Sequence, residues 1–228
     1  MKVLVIFSGG LDSTVCLAKA VAEYGSSNVT ALSFDYGQKN KKELKAAKDL
    51  CKCYKVEQLE MKIDDLFQYS DSSMLSNSNI PIPKIGYEEQ MKLKKEDEDV
   101  STNVPFRNGL LLSIATSVAI SKKIDVIYYG IHNEGIARPL YPDCDEDFNM
   151  AMSLAILLGS GRKVKVVAPL VKMSKKEVIK WGKKLKVPFE KTWTCYENGA
   201  KPCMKCTACR DRMEGFKDNH MVDPLIGG

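Results

Sequence analysis

The stretch that most constrains the fold lies at the N-terminal end of this 228-residue chain. A short apolar run, Val3–Phe7, ends in Ser-Gly-Gly, after which Asp12–Ala20 resumes with the composition and spacing of a helix. This pattern predicts a buried strand, a tight turn and a helix in direct succession. A strand that passes through a tight turn into a helix is typical of a parallel α/β fold.

The turn between this strand and helix has the features of an anion-binding site. Two adjacent glycines let backbone amides approach a ligand, and the first turn of the helix adds unpaired N–H groups and the positive end of its dipole. Ser8 and Ser13 add hydroxyl donors, and Asp12 can reach a metal ion or cap the helix. An ordinary strand-to-helix turn with an N-cap is the alternative. The hexapeptide S-G-G-L-D-S matches neither G-x-x-x-x-G-K-[ST] nor G-x-G-x-x-G.

Strand and helix patterns alternate along most of the chain. Strand-like runs occupy 28–34, 55–61, 124–130 and 163–167, and helical runs occupy 39–53, 109–122 and 145–158. A capping box, Ser174 to Glu177, opens a further helix that ends before Pro188. We therefore predict an α/β fold with a Rossmann-like parallel sheet of five strands, helices on both faces and ligands at the carboxyl ends of the strands.

Residues 64–103 lack this alternation. They are rich in Ser, Asn, Pro and charge, so we predict an irregular loop that is either a functional lid or simply mobile. The charge run at 92–99 is typical of a solvated surface.

A second feature is the cysteine pattern C-x7-C-x2-C-x2-C near the C-terminus. Four thiolates at this spacing can surround one tetrahedral zinc ion in a closed, structural site. A redox or iron–sulfur arrangement is the alternative. We predict an α/β domain over 1–190 and a C-terminal zinc-binding segment over 191–228, with these metal ligands: Cys195, Cys203, Cys206 and Cys209.

Composition limits the class of protein. With 44% hydrophobic and 28% charged residues, the chain can bury a sizeable core, which excludes disordered and fibrous classes. The net charge of +5 is spread along the chain, so it suggests anionic ligands without indicating nucleic-acid binding. No signal peptide or membrane span is visible, and we predict a cytoplasmic protein whose eight cysteines are not disulfides by default.

Taken together, these features resemble the QueC family of 7-cyano-7-deazaguanine synthases, within the N-type ATP pyrophosphatases that carry a PP-loop. The matching runs follow the family order and span nearly the whole chain: Phe7–Ser13, Tyr36–Gln38, Val104–Asn108, Tyr141–Cys144, Pro169–Leu170, Ser174–Lys175, Thr194–Tyr196, Cys203, Cys206, Cys209 and Arg212.

The resemblance implies a fold and a reaction. The fold is that of the adenine nucleotide alpha hydrolases. The carboxylate of 7-carboxy-7-deazaguanine would be adenylated by ATP, captured by ammonia as an amide, adenylated again and dehydrated to the nitrile, as a step of queuosine biosynthesis. The implied cofactors are ATP, Mg²⁺ and Zn²⁺. The implied partners are the small deazaguanine substrate and ammonia. The implied assembly is a homodimer that does not bind a membrane.

The resemblance also assigns roles to residues. The ATP site would be formed by residues from three strand ends: Phe7, Ser8, Gly9, Gly10, Leu11, Asp12, Ser13, Phe34, Gln38 and Gly130. The groups placed in catalysis are Asp12, Ser13, Arg107 and Lys175, of which Lys175 would offset charge on the phosphates. The substrate would contact Arg107, Asn108, His132, Tyr141 and Asp143. Arg107, Asn108 and Asp143 could instead serve as helix caps or buried ion pairs, and His132 could have a structural role.

Departures from the family pattern leave other readings open. The stretch 130–141 is longer than usual in the family, and Asp145 replaces a common Arg. A QueC-like paralogue, for example in anti-phage defence, could use the same adenylation to join a deazapurine to a protein or nucleic-acid amine. A third reading is a non-catalytic nucleotide-binding subunit. A tRNA thiolase is disfavoured, because no reactive cysteine pair lies outside the clustered four.

Overall fold

A parallel sheet forms the centre of the structure, a computed structural model that describes residues 1–95, 98–132 and 140–227. Within these residues the sheet has five strands in the order β3-β2-β1-β4-β5, which confirms the predicted architecture. The strands are β1 (Val3–Ile6), β2 (Val29–Asp35), β3 (Glu57–Lys62), β4 (Val126–Tyr128) and β5 (Lys165–Val167).

Helices cover both faces of the sheet, as predicted. They are α1 (Leu11–Tyr24), α2 (Lys42–Tyr54), α3 (Tyr87–Leu93), α4 (Arg107–Lys122), α5 (Glu146–Gly159), α6 (Lys175–Lys184) and α7 (Thr207–Asp218). One core, on the α1 and α6 side, includes Val15, Leu50 and Ile179, and the other, under α4 and α5, includes Leu112 and Ile156. None of the helices in the described part of the chain is long and apolar enough to cross a membrane.

The central strand β1 pairs with β2 on one side and with β4 on the other. The chain therefore leaves β1 in one direction for β2 and β3 and returns on the opposite side for β4 and β5. Such a change of direction opens a crevice at the carboxyl ends of the central strands. The loops after β1, β2 and β4 meet at this crevice.

Two helices were not predicted from the sequence. The short helix α3 lies inside the segment 64–103, where it is fixed by long-range contacts: Gln90 donates to the Thr207 hydroxyl, which in turn donates to the Ile85 carbonyl at 3.0 Å. The helix α7 lies inside the C-terminal segment. Met74 and Leu75, also in the segment 64–103, are buried in the core beneath α4.

The C-terminal segment is attached through a buried arginine. The Arg212 guanidinium makes two hydrogen bonds to the Asp223 carboxylate, at 2.6 and 2.8 Å, and donates to the Thr192 hydroxyl and the Phe189 carbonyl. A buried guanidinium needs such a full set of acceptors. The segment thus packs on residues near 190, and the domain division at that point stays a prediction.

Candidate nucleotide and substrate site

The loop after β1 is shaped for close backbone approach. Gly9 has a φ of +82°, and a Cβ at this position would lie 2.5 Å from the Ala47 nitrogen and the Glu43 carbonyl oxygen of α2. Gly10 is the N-cap of α1, and no side chain caps the helix there. The Ser8 and Ser13 hydroxyls lie 3.1 Å apart beside it. An uncapped helix start with nearby hydroxyl donors can bind a phosphate group.

A cluster of charged side chains, buried or partly buried, lies at the start of α1. Lys175, the first residue of α6, contacts both oxygens of Asp12 at 2.8 Å and an oxygen of Asp211 at 3.0 Å. The His132 Nε2 atom lies 3.8 Å from Asp12 and 4.0 Å from Asp211. Burial alone would raise the pKa of Asp12, but Lys175 and His132 outweigh burial and hold it below its ordinary value. The two carboxylates likewise raise the pKa of Lys175 against the effect of burial, so both groups stay charged.

The start of α4 is fixed by Asp143. Its carboxylate accepts from the Asn108 backbone amide at 2.7 Å and from the Asn108 side-chain amide at 3.2 Å. Asp143 therefore acts as a helix cap, which was one of the alternatives left open by the sequence. The neighbouring Arg107 donates to the Tyr36 hydroxyl at 3.1 Å.

Two adjoining cavities of about 250 and 260 Å³ share Asp12, Arg107, Asn108 and His132 in their walls. The first is bordered by the glycine loop, Lys175 and Glu43. The second is bordered by the following residues: Thr102, Asn103, Leu140, Tyr141, Asp143 and Cys144. Four of the predicted phosphate-binding residues thus face one continuous cleft together with the predicted substrate residues; the four are Ser8, Gly10, Asp12 and Ser13.

The four clustered cysteines come together at the N-terminal end of α7, where their Sγ atoms all lie within 4.8 Å of one another. A tetrahedral zinc ion with Zn–S bonds of about 2.3 Å requires sulfur atoms about 3.8 Å apart, so the cluster fits such an ion with a small contraction. Backbone amides donate to two of the sulfurs, Cys195 and Cys203, as expected for thiolates. The cluster is therefore compatible with metal binding.

The cysteine segment also contacts the glycine loop after β1. The Trp193 amide donates to the Gly9 carbonyl at 3.0 Å, and the Asn40 side chain donates to the Cys195 carbonyl at 2.7 Å. A metal ion held by the cysteines would consequently help to fix the loop.

Comparisons with known proteins identify the family. A family model described as queuosine biosynthesis protein QueC matches residues 2–220. The chain belongs to the QueC family. Among curated relatives of this QueC-family protein, the 7-cyano-7-deazaguanine synthase of Pseudoalteromonas translucida (strain TAC 125) is 38% identical over 98% of this chain and 97% of the relative. The enzyme of the same name from Caldicellulosiruptor saccharolyticus is 39% identical over 99% of this chain and 95% of the relative.

A solved structure is also similar to this QueC-family protein. The U34-tRNA thiolase NcsA from Methanococcus maripaludis, with its 4Fe-4S cluster, aligns with a TM-score of 0.48 and 20% identity. The alignment covers 99% of this chain and 69% of the thiolase chain.

Several residues predicted for the ATP site of this QueC-family protein make hydrogen bonds or packing contacts within the protein. The Gln38 side chain accepts from the Tyr36 amide and donates to the Phe34 carbonyl and to Glu43, so it shapes the loop after β2. Phe7 and Phe34 are buried in the two cores. A Cβ at Gly130 would lie 3.0 Å from the Ser13 nitrogen, so a side chain at this position would crowd the backbone of α1.

Tyr87, Tyr196 and Asp211 are among the cleft residues that sequence reasoning missed. Tyr87 and Tyr196 line both cavities, and the Tyr87 ring packs edge-on against Tyr141 at 6.3 Å between centroids. Asp211 joins the charge cluster from α7. Tyr87 and Asp211 belong to the two unpredicted helices. Tyr196 follows Cys195 directly, and its place in the matching run Thr194–Tyr196 was the available signal.

Proposed function

We propose that this QueC-family protein is an ATP-dependent C–N ligase that converts 7-carboxy-7-deazaguanine and ammonia into 7-cyano-7-deazaguanine. The supporting observation is the continuous cleft, which joins a phosphate-binding loop to a cavity of a size and polarity suited to a purine-like acid. The relatives that share nearly the full length of the chain carry the name of this activity.

The first half of the proposed reaction makes an amide. A carboxylate oxygen attacks the α-phosphorus of ATP, pyrophosphate leaves, and an acyl-adenylate forms. Ammonia then adds to the activated carbonyl carbon, and AMP leaves with the former carboxylate oxygen. Activation is needed because an oxide ion is a poor leaving group whereas AMP is a good one.

The second half removes the remaining oxygen. The amide oxygen attacks a second ATP and again displaces pyrophosphate. Loss of AMP and of the nitrogen-bound protons then leaves the C≡N bond. One ATP is consumed at each adenylation.

The residues of the cleft are suited to these steps. Ser8, Gly10 and Ser13 provide donors for the phosphates, and Lys175 provides a preorganised positive charge beside them. Asp12 would hold Mg²⁺, which shields the phosphate charge when it is bound. Arg107 would face the substrate carboxylate.

The substrate cavity offers Asn108, His132 and Tyr141 to the heterocycle. Asp143 positions the start of α4 and lines the same cavity, so we assign it a supporting role beside these contacts. Phe34, Gln38 and Gly130 would contribute to the adenine side by shaping the backbone there.

The cysteine cluster is proposed to hold Zn²⁺. Four thiolates leave no open position for water, so the ion would stabilise the segment 191–228 rather than take part in the reaction. The cytoplasmic location and the homodimer stay predictions. The longer loop that motivates a conjugating paralogue lies mainly at 133–139, outside the described residues.

The direct test incubates the purified protein with ATP, Mg²⁺, 7-carboxy-7-deazaguanine and ammonium and follows small molecules and protein by mass spectrometry. We expect the nitrile, and we expect it to vanish in Asp12→Ala. A mass added to an acceptor protein or nucleic acid without nitrile would instead favour a conjugating enzyme. ATP that is bound but never cleaved would favour the non-catalytic subunit.

A further inference from the structure

Asp211 is a carboxylate in the cleft that none of the sequence motifs described above includes. It lies on α7, its side chain is 11% exposed, and its oxygen is 3.0 Å from the Lys175 nitrogen. It lines the same cavity as Asp12 and the glycine loop. The second carboxylate therefore approaches the ammonium from the C-terminal segment, whereas Asp12 approaches it from α1.

The hydrogen bonds of Lys175 suggest what this second carboxylate does. An ammonium group has three donors, and in this structure Lys175 makes contacts of 2.8, 2.8 and 3.0 Å to the two oxygens of Asp12 and one of Asp211. To bind a phosphate oxygen, the ammonium must give up at least one of these contacts. Asp12 is the partner with a competing role, because it is also proposed to hold Mg²⁺.

We propose that Asp211 is a positioning residue, which keeps the Lys175 ammonium at the phosphate loop when Asp12 turns to the nucleotide. This inference rests on the proposed adenylation for its kinetic consequence only. The ion pair between Asp211 and Lys175 forms without substrate, so its contribution to stability can be measured on the ligand-free protein.

The backbone around Asp211 is built for this contact. Gly215, one turn further along α7, allows the close approach of the two helices, because a Cβ there would lie 2.6 Å from the Lys175 Cγ atom. Asp211 is adjacent to the buried Arg212 and two residues after Cys209, a member of the metal-binding cluster. Both anchors fix the position of α7 and therefore the position of the carboxylate.

A double-mutant cycle tests the proposal. Asp211→Asn, Lys175→Met and the double variant are compared for thermal stability without ligand and for the kcat and KM of pyrophosphate release. Glu214→Gln is the matched control, because it removes an exposed carboxylate from the same helix. Asp211→Glu keeps the charge and tests whether the charge restores activity.

We expect Asp211→Asn to lower kcat by about tenfold or more while the KM for ATP changes by less than about threefold, with Asp211→Glu recovering much of the loss. We expect the same substitution to lower Tm when Lys175 is present and to raise Tm in Lys175→Met, where it removes a largely buried carboxylate that has lost its ammonium partner. Glu214→Gln should change neither quantity.

Three results would overturn the proposal. The first is an equal loss of Tm in both backgrounds, which would mean that Asp211 acts independently of Lys175. The second is an unchanged kcat with a lower KM for ATP, which would mean that Asp211 merely repels phosphate. The third is full activity of Asp211→Asn. If the wild-type protein cleaves no ATP, the adenylation proposal fails, and the thermal cycle still decides whether the two residues are coupled.

Discussion

At the scale of single residues, the conformation of the glycine loop after β1 depends on Gly9. Its positive φ is unfavourable for any residue with a Cβ, and the added carbon would collide with the backbone of α2. No flexible side chain can move away to relieve this collision, since both close atoms belong to main-chain groups. The glycine is therefore required by the packing of the loop on α2.

We predict that Gly9→Ala destabilises the protein by roughly 3 kcal/mol or more and abolishes ATP binding. Gly161→Ala is the control, because Gly161 also has a positive φ but nothing lies within 4 Å of its added Cβ. This control should cost only about 1–2 kcal/mol and should retain ATP binding. Urea unfolding and titration calorimetry measure the two quantities. Normal ATP affinity in Gly9→Ala would show that the loop does not bind the phosphates.

Glu43, a carboxyl group in the wall of the cleft, makes the stability of the protein depend on pH. Burial raises the pKa of this carboxyl to about 7, although the hydrogen bond from Gln38 and the charges of Arg107 and Lys41 oppose the rise. The unfolded chain has the ordinary value of 4.5, so the folded state binds the proton more tightly. Ionisation of Glu43 therefore costs stability as pH rises from the lower value to the higher one.

We predict that Glu43→Gln, which keeps an acceptor for Gln38, raises the free energy of unfolding by roughly 1–3 kcal/mol at about pH 8 and by much less at about pH 5. The measurement is urea unfolding of the ligand-free protein at both pH values. Glu60→Gln, an exposed residue of β3, serves as the control and should show no such difference. An equal effect of Glu43→Gln at both pH values would argue against an ionised, destabilising carboxylate.

The structures predicted correctly at this scale are local ones. Ser8 to Ser13 connect β1 to the first turn of α1, and the capping box of Ser174 and Glu177 forms within one turn of α6, so residues close in sequence largely set both structures. Asp211 and Tyr87 reach the cleft through tertiary packing of helices that are far apart in sequence. Sequence patterns carry little information about such contacts.

At the scale of elements, α3 and α7 were also missed from the sequence because they depend on contacts with distant residues. The helix α3 has seven residues, too few to be stable alone, and depends on the contact between Gln90 and Thr207. The helix α7 begins immediately after Cys206, its N-cap, so the cysteine cluster lies where the helix starts. The folding of α7 should therefore depend on the metal ion.

We predict that Cys206→Ser loses bound zinc and increases amide hydrogen exchange in α7 and around Trp193, because a structural zinc site contributes on the order of 10 kcal/mol to folding. Metal analysis and hydrogen-exchange mass spectrometry provide the two readouts. Cys53→Ser is the control, since Cys53 is exposed and lies outside the cluster. Iron instead of zinc in the wild-type protein, or unchanged exchange in Cys206→Ser, would contradict this account of the segment.

At the scale of the whole molecule, alternating strand and helix patterns were sufficient to predict a five-stranded parallel sheet with helices on both faces. The order of the strands is set by long-range pairing of β1 with both β2 and β4, which hydrophobic periodicity does not encode. That order creates the crevice, and the crevice brings together the loop at Ser8, Lys175 from α6 and Arg107 from α4. The candidate site is therefore a product of topology, while the loop predicted to bind phosphates is a product of local sequence.

The central claim is that both oxygens of the substrate carboxylate leave on AMP. The most direct measurement supplies the protein with 7-carboxy-7-deazaguanine labelled with ¹⁸O in the carboxylate, together with ATP, Mg²⁺ and ammonium, and analyses the nucleotides by mass spectrometry. We predict that each adenylation releases one AMP molecule that carries one ¹⁸O atom. We also predict that the nitrile forms and that pyrophosphate stays unlabelled. Unlabelled AMP, or label found in ADP or inorganic phosphate, would contradict the account.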